Sequence, residues 1–502
     1  MRPSVGKGGT VTGITLFAGC RPEVAADGGG RILAVGLGAR AAAGAGAEIV
    51  ELSGRTLPGL GDAHLHLGEL AAQDSSCRLG GARSLETTLA LVRRWSDALP
   101  NGAWVLGEGW SEDRWRVPVW PERQALDRAT RGRPALLVRR DGHAAWVNSA
   151  ALAAAGIGAE TPNPPGGLID RGPDGAPSGI LRERAIGLVA RLTPELDGPA
   201  LDRALVLALR RLSRVGLTTV HAIDDARIFA ALQRLRQRGH LPLRVGYIMP
   251  AADLAVAAQL RVATGFGDPW LWLVGVKGFL DGSLGSQTAE MLDGSGVQRL
   301  SSSDLTALVD GCRAANLNVC LHAIGDAAVR RALDALAPHA HSGTGWRPRI
   351  EHVQCVDPAD VHRFHALGVI ASMQPLHAVS DRGLADRYWG DRAAHAYAWQ
   401  PLLAAGARLA FGSDAPVDDP APLLGIDAAT NWRCRTGWYS ELAISRGAAL
   451  AAYTAGVAFA GGTERDAGRL RPGFWCDLTV VERDRVIATV VAGRVVSRAP
   501  RG

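Results

Sequence analysis

Two histidines, two residues apart, are the first residues here that could do chemistry. They lie in Gly61-Asp62-Ala63-His64-Leu65-His66. An extended strand sends alternate side chains to one face, so His64 and His66 point the same way. Two imidazoles so placed can share a metal ion; a chance pair of polar strand residues is the plainer alternative. Other polar residues also close or interrupt apolar runs. They are Lys277 in Val276-Lys277-Gly278-Phe279, His322 in Val319-Cys320-Leu321-His322, His352 in Arg349-Ile350-Glu351-His352, and Asp414 in Phe411-Gly412-Ser413-Asp414. Each alone reads as a polar residue at a strand end. Potential ligands on five strands of one barrel do not.

Lys277 stands out by composition. Lysine and arginine total 55, and Lys7 and Lys277 are the only lysines, so arginine fills nearly every cationic position. A lysine inside an apolar strand suggests chemistry that a guanidinium cannot do. Burial lowers a lysine pKa and frees its amine. A free amine adds carbon dioxide to give a carbamate, a carboxylate-like bridge between two metals. The alternative is a core lysine reaching a carboxylate such as Asp281.

Eight strand-like runs position these residues: Leu60–His66, Leu217–Ile223, Leu243–Met249, Trp272–Leu280, Asn318–Ile324, Arg349–Cys355, Val369–Gln374 and Arg408–Ser413. Helix-period segments lie between most of them, among them Leu201–Val215, Asp304–Asn316, Ala327–Ala337 and Asp357–Leu367. Eight such units in order predict an α/β fold, a (β/α)₈ TIM-like barrel spanning 58–463. The stretch 67–216 is too long for a connection and holds Trp95, Trp104, Trp110, Trp115, Trp120 and Trp146. It reads as a folded insertion subdomain after barrel strand 1, placed to shape a substrate pocket. Residues 1–57 and 464–502 carry short β-type runs with Gly-rich turns and are expected to form one small β-sandwich domain from both chain ends. Gly36-x-Gly38-x-x-Ala41 imitates a dinucleotide fingerprint, but no βαβ unit surrounds it, so a Gly-rich turn is the reading.

Composition excludes several classes. Of the 502 residues, 47% are hydrophobic and 21% charged, an ordinary globular balance. No apolar run approaches the ~20 residues of a membrane span. Neither lysine lies in a phosphate-binding loop, no serine lies in a Gly-x-Ser-x-Gly elbow, and no cysteines are spaced Cys-x-x-Cys. The net charge is +6, but the arginines are scattered and lack interleaved aromatics, so no nucleic-acid partner is expected. Seven cysteines without a framework pattern favour free thiols and a cytoplasmic location. The apolar stretch before Gly19-Cys20 reads as an edge strand rather than a secretory signal.

The order His-x-His, strand-four Lys, His, His, Asp resembles the amidohydrolase superfamily of metal-dependent hydrolases. The stretches Lys277–Ala289 (KGFLDGSLGSQTA), Asp141–Leu152 (DGHAAWVNSAAL) and His322–Asp326 (HAIGD) are similar to the branch that includes N-substituted formamide deformylase. The resemblance runs from about Arg31 to Val496. Departures include Gly61 for a bulkier apolar residue, Cys476-Asp477-Leu478 for Ala-Asp-Leu, and Gln287 for a common Arg.

The resemblance implies a hydrolase cleaving a C–N bond, in an amide, N-formyl or N-acyl compound, through a metal-bound hydroxide. His64, His66 and Asp414 would hold one divalent ion and His322 and His352 a second, bridged by carboxylated Lys277; zinc suits this ligand set. Asp414 would be general base and then acid. A single-metal site with unmodified Lys277 is the variant reading. Hydrolytic deamination, or ester or carbamate cleavage, is the alternative at the same site, and a catalytically dead barrel is the non-enzyme one. The resemblance also implies dimers or larger assemblies. His143, Asn148, Asp281 and His377 are the candidates for substrate contact. His362 and His365, on a helix, read as solvated.

Overall fold

Leu217–Ile223 is buried at every position, as a strand covered on both faces must be. It is one of eight parallel strands that follow one another around a barrel. In chain order they are Leu60–Leu65, Leu217–Ile223, Arg244–Pro250, Leu271–Phe279, Val319–Ala323, Arg349–His352, Ile370–Met373 and Arg408–Phe411. Leu217–Ile223 coincides with its expected run, and each of the others overlaps its run with an end shifted by one to three residues. Just beyond the eighth strand the ring joins the first: Asp414 N–H donates to His64 O at 2.7 Å, and His66 N–H donates to Ala415 O at 2.8 Å. The computed structural model describes residues 13–74, 76–100, 102–139, 144–165, 167–194, 196–285, 287–340 and 345–500.

The helices arise from ordinary amphipathic and capping logic. Ser302–Ala314 begins where the Ser301 hydroxyl accepts from Asp304 N–H, and buries Leu305, Leu308, Val309 and Cys312. Asp326–Leu336 buries Val329, Ala332, Leu333 and Leu336. Among the described residues no helix is long and apolar enough to cross a membrane.

The chain divides into two compact units, 1–68 with 205–502, and 69–204. Besides the barrel, the first unit holds a seven-stranded sheet built from both chain ends, in which Glu48–Pro58 pairs antiparallel with Leu478–Glu482. Thr15–Arg21, expected at an edge, is an interior strand. It pairs parallel with Glu48–Pro58 and antiparallel with Val24–Ala26. Gly36–Gly38 is a single tight turn before the short helix Ala39–Ala43. The strands on either side of that turn are not neighbours in the sheet, so no dinucleotide unit exists there.

A buried ion pair ties this sheet to the barrel. Arg244, at the start of the third barrel strand, donates from Nε and Nη2 to Asp477 at 2.6 and 3.1 Å, beneath the Trp475 ring at 3.8 Å. Asp477 also accepts from Ala492 N–H at 2.8 Å. Asp477→Ala strands a buried guanidinium and is expected to cost about 3–5 kcal/mol. A thermal melt of the variant checks this; an unchanged midpoint would refute it.

The second unit carries a six-stranded mixed sheet whose core includes Trp110, Trp115 and Trp146. Asn148 lies fully buried here. Its Oδ1 accepts from Ala135 and Ala151 N–H at 3.0 Å each, and its Nδ2 donates to Thr130 Oγ1 at 3.0 Å and Arg133 O at 2.7 Å. These bonds give the side chain a structural task, capping the helix Ser149–Ala154. His143 lies outside the described residues.

Candidate metal centre

The strand ends of the barrel bring His64, His66 and Asp414 together. His64 Nε2 is 3.3 Å from Asp414 Oδ1, and His66 Nε2 is 3.2 Å from the same oxygen. The other nitrogen of each ring is already engaged. His64 Nδ1 meets Glu351 Oε2 at 2.8 Å, and His66 Nδ1 meets Ile223 O at 3.0 Å. A carbonyl or carboxylate oxygen can only accept, so both Nδ1 atoms carry the proton and both Nε2 atoms present lone pairs. Three acceptors therefore converge, and Asp414 Oδ1 is buried without a hydrogen bond. Such a cluster calls for a cation, and its N/O donor set fits a divalent metal held by imidazoles with carboxylate or carbonyl groups behind them.

A second convergence of ligand atoms involves His352, His377 and Asp414. Alternation along the sixth strand places Arg349 and Glu351 inside the barrel, so regular backbone would turn His352 outward. His352 instead has a left-handed φ of 75°, and its ring comes within 4.8 Å of that of His64 and 4.4 Å of that of His322, centroid to centroid. Asp414 also has a left-handed φ, 58°. Backbone of this kind costs on the order of 1–3 kcal/mol per residue and persists where surrounding structure enforces it.

His322 is close to His352 but lies outside both convergent groups. Its Nε2 donates to Gly282 O at 2.9 Å, which leaves Nδ1 as its lone-pair atom. Burial, with Lys277 nearby, pushes the His322 pKa down to about 3 and holds His352 well below the usual imidazole range. Both rings are neutral, as ligands must be. Lys277 is buried, with Nζ 3.5 Å from His64 Nε2, and burial lowers its pKa.

His377 stands beside the first group. Its Nδ1 meets Asp418 Oδ2 at 2.7 Å, and its Nε2 is 3.4 Å from Asp414 Oδ2. Burial alone would lower its pKa, but the two carboxylates outweigh burial and raise it to about 10. Asp414 responds in the opposite sense: burial would raise its pKa, but the hydrogen bond from charged His377 helps hold it well below the carboxylate range.

Asp281, expected as a substrate contact, is held by backbone groups. It is buried, and its carboxylate accepts from Glu290 N–H at 3.0 Å, Gly325 N–H at 2.9 Å and Ile324 N–H at 3.1 Å. It thereby joins the loops after the fourth and fifth strands, 3.5 Å from His322. His362 and His365 are exposed on their helix, and His365 Nδ1 meets Gly406 O at 3.0 Å.

Sequence reasoning missed the support beneath these ligands. Arg349 pairs with Glu351, both fully buried, and its Nη1 meets His221 Nδ1 at 3.1 Å. Burial works against both charges. Glu351 holds the Arg349 pKa up, while Arg349 and His64 hold Glu351 well below its usual value. Asp62 accepts from the Ser413 hydroxyl at 2.6 Å and from His64 N–H at 3.0 Å, clamping the first strand to the eighth. The available signal was charge at alternate, inward positions of an apolar strand, Arg349-Ile350-Glu351.

Comparison with known proteins agrees with this architecture. Protein LONG AFTER FAR-RED 3 of Arabidopsis thaliana is 32% identical over 510 residues, covering 93% of this chain and 86% of that protein. N-substituted formamide deformylase of Arthrobacter pascens is 29% identical over 494 residues, covering 91% and 89%. A crystal structure of an uncharacterized metal-dependent hydrolase from Pyrococcus furiosus superposes with a TM-score of 0.76 at 28% identity, covering 94% of this chain and 98% of that one. Residues 48–497, which take in the whole barrel and part of the end-built sheet, match the amidohydrolase family, and the chain belongs to that family.

Proposed function

We propose that the protein hydrolyses a non-peptide C–N bond of a small N-formyl or N-acyl compound, using a divalent metal held at the strand ends. The convergence of His64 Nε2, His66 Nε2 and Asp414 Oδ1, two imidazole nitrogens and a carboxylate oxygen close enough to share one ion, carries this reading. The similarity to N-substituted formamide deformylase supports the choice of bond. A metal ion bound there supplies an acidified water and polarises the scissile carbonyl.

The chain's own groups manage the proton. Asp414 accepts it as water adds to the carbonyl carbon, and returns it to the nitrogen as the C–N bond breaks. His377, charged between Asp414 and Asp418, donates to Asp414 Oδ2 and so leaves Oδ1 facing the two histidines. Lys277, whose amine burial favours in its neutral form, would add carbon dioxide to give a carbamate, and with His322 and His352 this group would hold a second ion.

Metal per chain, measured by elemental mass spectrometry, tests the reading. The expected result is about two zinc ions per chain after reconstitution with zinc and bicarbonate. About one ion would restrict the site to His64, His66 and Asp414 and remove the carbamate. No bound ion would overturn the reading.

A further inference from the structure

A cavity of about 450 Å³ opens beside His322, walled by Phe279, Val297 and Thr288 and rimmed by Arg299. Its position follows from the barrel register. Phe279 pairs with His322 across the fourth and fifth strands, two residues beyond Lys277 and on the same face. The Phe279 ring lies 5.3 Å from that of His322, and Lys277 Nζ lies 4.9 Å from its centroid. A substituent in this cavity therefore reaches the groups around the metal centre without a linker.

Three observations describe what fits. The walls are mainly apolar: Phe279, at the end of the fourth strand, and Val297, in the loop that follows it, both present exposed apolar surface to the cavity. The volume exceeds what one phenyl ring occupies and lies within the ordinary range for small-molecule sites. Among the described lining residues the one with a permanent charge is Arg299, whose guanidinium carbon sits 5.4 Å from the Phe279 centroid. A guanidinium at the rim of an apolar cavity favours a carboxylate or another anion over a neutral or cationic group.

We infer that this cavity is the substituent pocket of the enzyme, and that it selects N-formyl or N-acyl compounds whose substituent has an aryl or branched apolar body carrying an anionic group. The inference rests on the proposed hydrolysis for its assignment as a substrate pocket. Phe279 and Val297 hold the apolar body, and Arg299 pairs with the anion.

The test compares N-formylphenylalanine, N-benzylformamide and N-methylformamide as substrates of the zinc-loaded wild type, Arg299→Ala, Phe279→Ala and Val297→Trp. It also measures binding of 3-phenylpropionate to the same proteins by calorimetry. Arg299→Ala is expected to reduce the kcat/KM ratio of N-formylphenylalanine to N-benzylformamide about tenfold. Phe279→Ala and Val297→Trp are expected to reduce the ratio of N-benzylformamide to N-methylformamide by a similar factor, about tenfold. Hydrolysis with ratios that do not move overturns the pocket and leaves the proposed reaction standing. Absence of hydrolysis across the panel overturns the reaction. In that case 3-phenylpropionate decides the pocket: affinity lost in Arg299→Ala and Val297→Trp supports it, and no binding, or binding equal in all four proteins, overturns it.

Discussion

Asp414→Asn is expected to lower kcat by on the order of 10³-fold or more while zinc content stays near that of the wild type. The two outcomes separate because the proposed mechanism gives Asp414 two tasks. One is to present Oδ1 to the same point as His64 Nε2 and His66 Nε2. An asparagine still offers an oxygen there, and both histidines keep the hydrogen bonds that fix their tautomers. The other task is to take a proton from water, and a neutral amide cannot do that. The carboxylate is well suited to the task, because charged His377 helps keep it ionised despite burial. Elemental analysis and steady-state kinetics on one preparation read both quantities. Activity above about a tenth of wild type would show that another group carries the proton, because a lost general base costs far more. Loss of metal together with activity would reduce Asp414 to a ligand.

The parts of this site that were legible in the sequence share one physical signature. His64, His66, Lys277, His322 and Asp414 each close or interrupt an apolar run, and a parallel barrel strand must be an apolar run because helices and core cover both its faces. The fold was legible for the same reason, since eight such runs alternate with helix-period segments. Glu351 escaped notice because the chain is rich in arginine. In such a chain Arg349-x-Glu351 looks like surface charge, and only the register, which sets Glu351 beside His322, shows that it faces inward. Asp418 was invisible because its partner His377 is 41 residues away. Asn148 is the opposite case. It lies in a stretch that resembles a functional motif, and among the described residues its amide bonds to Thr130 and to backbone groups within the inserted unit. A motif records that a residue matters, and the hydrogen-bond inventory says to what.

Glu351→Gln is expected to weaken zinc binding about 10–100-fold. Glu351 touches no convergent ligand atom directly. It holds the Nδ1 proton of His64, which leaves Nε2 as the lone-pair donor, and its charge makes that imidazole a stronger base. Glutamine keeps an acceptor in place but removes the charge. The same change leaves Arg349, fully buried, without its counter-ion, so stability is expected to fall by about 3–5 kcal/mol. These two losses would be hard to tell apart in the single variant. Adding Arg349→Met separates them, because the double variant buries no unpaired charge and regains most of the lost stability. It does not restore the negative charge behind His64, so weak zinc binding should persist. Competition titration against a chelator measures the affinity and a thermal melt measures the stability. If zinc affinity recovers together with stability, Glu351 is only a partner for Arg349, and the geometry of His64 is set by the barrel alone.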